Sequence, residues 1–196
     1  MRKYQLPISY DDCKMTLKET SKNDPQKKKD VKCLSESQLE VYNFDEVKKS
    51  YYNLIGLSKD MVGSCDALYI SKKNDIEFYL IEFKSTSRLE NLKKDGEVNS
   101  KIKEKVTGSL LILSDIGKFC ISDTRHFASF ILVYADAKGH AESMVKSRTG
   151  SNSEDDGMKK YEQIYYKQCL IMDGNRFQRR FVDQWEKDVG LKDVGI

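Results

Sequence analysis

The stretch CDALYISKKNDIEFYLIEFKST, residues 65–86, constrains the fold of this chain more than any other. Two apolar runs rich in β-branched and aromatic residues, about 65–71 and 77–84, flank the polar turn SKKND, the pattern of adjacent strands. Side chains alternate across a strand, so residues i and i+2 share a face. Glu82 and Lys84 therefore point one way and Phe83 the other. If the runs pair as a hairpin, Asp66 approaches the Glu82 face from the neighbouring strand. Two carboxylates and an ammonium then converge where a divalent cation and a water fit. A charge pointing inward at the end of FYLIEFK needs such a reason. The alternative for Glu82 and Lys84 is an exposed ion pair at a strand end, worth little energetically.

The surrounding sequence supplies the rest of a layered domain. Phe44, Val47, Tyr51, Leu54 and Ile55 recur at helical spacing, which predicts a helix opening near Ser35 or Ser37 and stopping at about Gly56. After Lys84, a polar connection around Asp95 and Gly96 leads into an amphipathic helix over about 98–113, with Val106, Leu110 and Leu113 as its apolar row. The continuous run FASFILVYAD, residues 127–136, suits a strand buried on both faces of a sheet. Residues 158–185 are ambiguous. KKYEQIYYKQCLIM reads as helix or as strand, and the Asp173-Gly174 pair favours a strand turning into RFQRRFV. The order helix, strand, strand, helix, strand predicts an α/β fold with a mixed central sheet flanked by helices.

At 196 residues the length suits one domain with a sizeable core. Residues 1–36 read as a polar N-terminal arm, 37–196 as a single domain, and 137–157 as a flexible excursion. The charges, 34 Lys+Arg against 31 Asp+Glu, leave a net +3 that neither demands nor excludes a polyanion. Five scattered cysteines without a CxxC pair argue against a zinc knuckle and a secreted disulfide framework. No apolar stretch is long enough for a signal peptide or a membrane span, so the expectation is a soluble protein of the cytoplasm or nucleus, without a membrane partner.

Phosphodiester hydrolysis needs charge neutralisation, an activated water and help for the departing oxygen. A bound Mg²⁺ (or Mn²⁺) supplies much of this, and magnesium needs only a few protein oxygens because it keeps several waters. Asp66, Glu82 and the Phe83 backbone carbonyl are the candidate ligands. Lys84, kept protonated beside carboxylates, is suited to orient water and stabilise phosphate charge.

Asp66, a strand-turn-strand interval and Glu82-Phe83-Lys84, followed by a helix and a buried strand, resemble the PD-(D/E)xK nuclease superfamily. The likeness spans about residues 37–136. It implies a restriction-endonuclease-like αβββαβ core and divalent-metal hydrolysis of DNA or RNA, with Asp66 and Glu82 as metal ligands and Lys84 as the catalytic lysine. Cys65 stands where the motif has proline. Many members carry a further acid on the first helix, for which Glu46 is the first candidate and Glu40 the second. The Gln-x-x-x-Tyr of RecB-like members is missing. A catalytically silent nuclease-like fold, binding nucleic acid or protein, is the alternative.

Between Lys84 and Lys105 seven basic residues stand against four acidic ones, an excess that fits a phosphate backbone; Lys101 and Lys105 are its candidate contacts. A solvated helix face explains them equally well. Arg179 and Arg180, interleaved with Phe177 and Phe181, are candidates for phosphate contact with base stacking, against an amphipathic edge with its rings in the core. A homodimer or a partner protein is compatible with these surfaces. Lys27, Lys28 and Lys29 read as a solvated charge run or a phosphate-contacting arm. His126 and His140 lie far from the motif. Ser109 and Ser114 lack the Gly-x-Ser-x-Gly setting of a serine hydrolase, and no phosphate-binding glycine loop is present.

Overall fold

The computed structural model describes residues 10–22, 33–57, 62–71, 76–85, 92–94, 97–135 and 158–191. The main sheet runs in the spatial order β1 (Lys14–Thr16), β2 (Glu40–Asn43), β3 (Ala67–Ser71), β4 (Glu77–Lys84), β7 (Ala128–Tyr134) and β8 (Gln168–Asp173). A separate ribbon pairs β5 (Lys93–Lys94) with β6 (Glu97–Val98). From β1 to β4 the neighbours are antiparallel, whereas β4, β7 and β8 run parallel. The sheet is therefore mixed, and helices cover both of its faces.

Alternation along the strands sorts the core into two layers. Leu68, Phe78, Leu80, Phe130, Leu132 and Ile171 face helices α2 (Phe44–Ile55) and α3 (Ser100–Gly117). Their packing partners include Phe44 and Val47 of α2 and Ile102, Val106, Leu110 and Leu113 of α3. Tyr69, Ile81, Phe83, Ile131, Val133 and Met172 face the opposite way, onto the C-terminal helix α6. That helix comprises Gly174–Phe177, a wider π-type turn at Gln178–Val182, and Asp183–Asp188. Trp185 stacks near Tyr69 with ring centroids 4.3 Å apart. All seven residues of β7 are buried, as a strand covered on both faces requires. Three short helices, α1 (Leu17–Thr20), α4 (Ile121–Phe127) and α5 (Lys159–Ile164), and a 3-10 turn at Asp11–Cys13 complete the described elements.

Several expectations need correcting. The first long helix does not open at Ser35 or Ser37: β2 intervenes, and Asn43 caps α2 by accepting a hydrogen bond from the Glu46 N–H. Its end is as expected, with Gly56 in the left-handed region at φ 70°. Among the described residues between α2 and α3, β3 and β4 are the strands that join the main sheet. The strand antiparallel to β3 on its other side, β2, comes from before α2, so the described order departs from αβββαβ. The N-terminal stretch is not merely a polar arm. Its β1 extends the sheet, and Leu17 is fully buried beside Leu39 and Val41.

The Asp173-Gly174 pair does not turn a hairpin. The Asp173 side chain accepts from the Arg176 N–H and caps α6, so RFQRRFV is helical. The ambiguous segment before it is first helix and then strand, α5 followed by β8. Residues 137–157, the lysines at 27–29, the turn at 72–75 and the Asp95-Gly96 pair lie outside the described residues. Among the described residues no helix is long and apolar enough to cross a membrane.

Candidate active site

Asp66 is fixed by two backbone hydrogen bonds before its side chain is considered. Its N–H donates to the Ile81 carbonyl at 3.0 Å, and its own carbonyl accepts from Phe44 N–H at 3.1 Å, which ties the start of β3 to β4 and to the first turn of α2. Just upstream, the Cys65 N–H donates to Ser109 Oγ of α3 at 2.7 Å. Gly108 lets the 62–63 backbone lie directly on α3, where a Cβ would stand 2.1 Å from the Gly63 carbonyl oxygen. The side chain of Asp66 then accepts from the Phe83 N–H, 2.6 Å from Oδ2.

Parity places Asp66 and Glu82 on the face that carries α3, and their carboxylates share one cation. Lys105 Nζ of α3 lies 2.7 Å from Glu82 Oε2 and 3.3 Å from Asp66 Oδ1. Lys84 Nζ approaches Glu82 Oε1 to 2.5 Å. That contact is an ion pair without hydrogen-bond alignment, because Oε1 is buried with no hydrogen-bond partner. Glu82 is fully buried, while the Asp66 side chain keeps 23% of its surface and Lys105 25%. The site is therefore closed at Glu82 and open along Asp66 and Lys105.

The electrostatics follow from that enclosure. Burial, reinforced by the Asp66 charge, raises the Glu82 carboxyl to about 7 despite the opposing pull of Lys105 and Lys84. Burial also raises Asp66, against Lys105 and the Phe83 N–H. Burial alone would lower Lys105, but Glu82 and Asp66 outweigh it and hold the ammonium above its ordinary value. The fully buried Cys65 thiol is pushed well up, which removes it as a nucleophile.

Asp66, Glu82, Lys84 and Lys105 thus come together. The Phe83 carbonyl lies on the Asp66 edge of β4: carbonyls alternate between the two edges of a strand, and the Ile81 carbonyl receives Asp66 while the Lys84 carbonyl receives Ala135 from the β7 side. Glu46 and Glu40 do not join. Glu46 pairs with Lys49 on an open face of α2, and Glu40 pairs with Lys14 at 3.0 Å on β2. Lys101 is exposed on α3 one turn before Lys105. Arg179 and Arg180 are exposed on α6, in the layer across the sheet from Glu82.

The acid of α2 that does act on the site is Asp45. It receives the Ser64 hydroxyl and raises both Asp66 and Lys105 electrostatically. Lys105 is the central cation of the site rather than an outlying phosphate contact. A signal for it exists: Lys105 sits among Ile102, Val106 and Ser109, buried positions of α3, where a lysine needs a partner. Among the described residues no group of three or more His, Cys, Asp and Glu is arranged to hold a metal ion. Comparison with protein-family models, with curated proteins and with solved structures gives no match.

Proposed function

We propose that this chain is a metal-dependent nuclease of the PD-(D/E)xK type, hydrolysing phosphodiester bonds of DNA or RNA with Mg²⁺ or Mn²⁺. The observation that carries the reading is the fully buried Glu82 carboxylate beside Asp66 on one face, with both converging on a position that a cation, Lys105 Nζ, takes. Burying a carboxylate is costly without a cation beside it, and a position between two carboxylates that draws an ammonium suits a divalent ion as well. Asp66, Glu82 and the Phe83 carbonyl would hold the ion. Two carboxylates suffice for magnesium, which takes its remaining ligands from water and substrate phosphate. When bound, the ion polarises the phosphate and acidifies a water.

The chain's own groups do the rest. Lys84, on the Glu82 face, orients the attacking water and stabilises charge that develops on the phosphate. Phe83 N–H and the backbone clamp of Asp66 hold its carboxylate in place. The test is cleavage of single- and double-stranded DNA and RNA by the Mn²⁺-loaded protein, beside Asp66→Asn and Lys84→Ala. Cleavage by the parent alone is expected. Failure of the metal-loaded parent to cut any of these substrates would overturn the reading.

A second reading has its own observation. Two carboxylates and two ammonium groups already balance one another through Lys105 and Lys84. On that reading the network is structural, and the fold binds nucleic acid or protein without cutting. Asp66→Asn then costs stability, and Mn²⁺ leaves the melting temperature unchanged.

A further inference from the structure

Resting on the metal-dependent reading above, we propose that Lys105 is an exchangeable cation: its ammonium occupies the place between Asp66 and Glu82 until a divalent ion displaces it, and the freed side chain then turns to the substrate phosphate.

The geometry behind this is specific. Lys105 Nζ bridges one oxygen of each carboxylate, Asp66 Oδ1 at 3.3 Å and Glu82 Oε2 at 2.7 Å, which is where an ion shared by these two residues has to reach. An ammonium and a divalent ion cannot both sit there, since each needs the same oxygens and the two repel. Lys84 is placed differently. Among the described residues it pairs with Glu82, on the other oxygen and without hydrogen-bond alignment, so it does not bridge the two carboxylates.

Lys105 also has a way out. A quarter of its side chain reaches the surface, and it is a flexible four-carbon stem rather than a rigid fork. Its base is fixed, because Gly108 and Ser109 dock α3 against residues 63–65 within the next helical turn. Only the side chain needs to move. Lys101, four residues earlier and exposed, lies on the same flank of α3, so a released Lys105 joins it as a second ammonium for a phosphodiester. In the absence of metal, the same lysine keeps two nearby carboxylates from repelling one another.

The test titrates Mn²⁺ into the full chain by calorimetry, with Lys105→Met as the variant and Lys101→Met as the control that removes the same charge without vacating the site. Lys105→Met is expected to bind Mn²⁺ about tenfold more tightly or better, and Lys101→Met to differ little from the parent. A second measurement needs no variant. Amine-reactive labelling of the parent, read by peptide mass spectrometry, should rise several-fold at Lys105 on adding Mn²⁺ and stay level at the exposed Lys118. If the parent binds Mn²⁺ while Lys105→Met binds no more tightly and Lys105 labelling does not change, the exchange is overturned and the metal reading stands. If neither protein binds Mn²⁺, both fall together.

Discussion

Replacing Glu82 by glutamine changes how the metal-free protein's stability depends on pH, and the size of that change follows from its burial. The Glu82 carboxyl is raised from an ordinary 4.5 to about 7, chiefly by burial and next by Asp66. A raised carboxyl means that the folded state holds its proton more tightly than the unfolded state does. Its contribution is therefore fully present below pH 4.5 and is lost as pH climbs from 4.5 to 7. At about 1.4 kcal/mol per pH unit, the loss between pH 5 and 8 is roughly 2–3 kcal/mol. Asp66, also raised, adds in the same direction. Carboxyls with lowered values, such as Glu19, Glu77 and Asp115, act below this window and do not offset it. Urea unfolding in the presence of a chelator, followed by the single and buried Trp185, measures the slope directly. Glu82→Gln should remove most of the decline, so that its stability relative to the parent improves steadily from pH 5 to pH 8. Parallel curves for parent and variant across that range would refute the claim that Glu82 is ionised at a cost.

Asp45→Ala should weaken Mn²⁺ binding several-fold, whereas Glu46→Ala should leave both binding and stability within about 0.5 kcal/mol, as for an open ion pair; calorimetry and urea unfolding separate the two. Gly108→Ala gains up to about 1 kcal/mol in helix propensity, but its methyl meets the Gly63 carbonyl oxygen at 2.1 Å and Val62 Cγ1 at 2.4 Å. The clash should win, with a net loss of about 1–3 kcal/mol in urea and weaker Mn²⁺ binding because Asp66 is displaced. Tyr166→Phe removes the buried hydrogen bond to the Val106 carbonyl, 2.7 Å long. It should cost about 1 kcal/mol in the same unfolding assay without changing Mn²⁺ affinity.

The strands that carry the site were readable because their signals are local. Alternation alone puts Glu82 opposite Phe83, and the unbroken run around Phe130 and Leu132 announces a strand covered on both sides. Gly56 ends its helix for an equally local reason, a left-handed turn, whereas the cap at Asn99 places the start of α3 at Ser100 rather than at the expected Val98. What escaped depends on where elements land in space. Asp45 and Glu46 are neighbours on one helix, and only the docking of α2 against the 62–65 segment decides which of them faces Asp66. Lys105 counts as a basic surface residue until Gly108 and Ser109 bring α3 against the strand ends. The short β2 reads as part of a helix because Leu39 and Val41 continue an apolar pattern that either structure could use. At Asp173 the same dipeptide serves a hairpin or a helix cap, and the spacing of Phe177, Phe181 and Trp185 on one face settles it as a helix.

The most direct test of the metal centre is anomalous diffraction at the manganese edge from crystals grown with Mn²⁺. One strong peak is expected within a coordination shell, about 2–2.5 Å, of oxygens from both Asp66 and Glu82. A well-ordered site with no manganese between these carboxylates, and Lys105 Nζ still bridging them, would contradict a metal centre there.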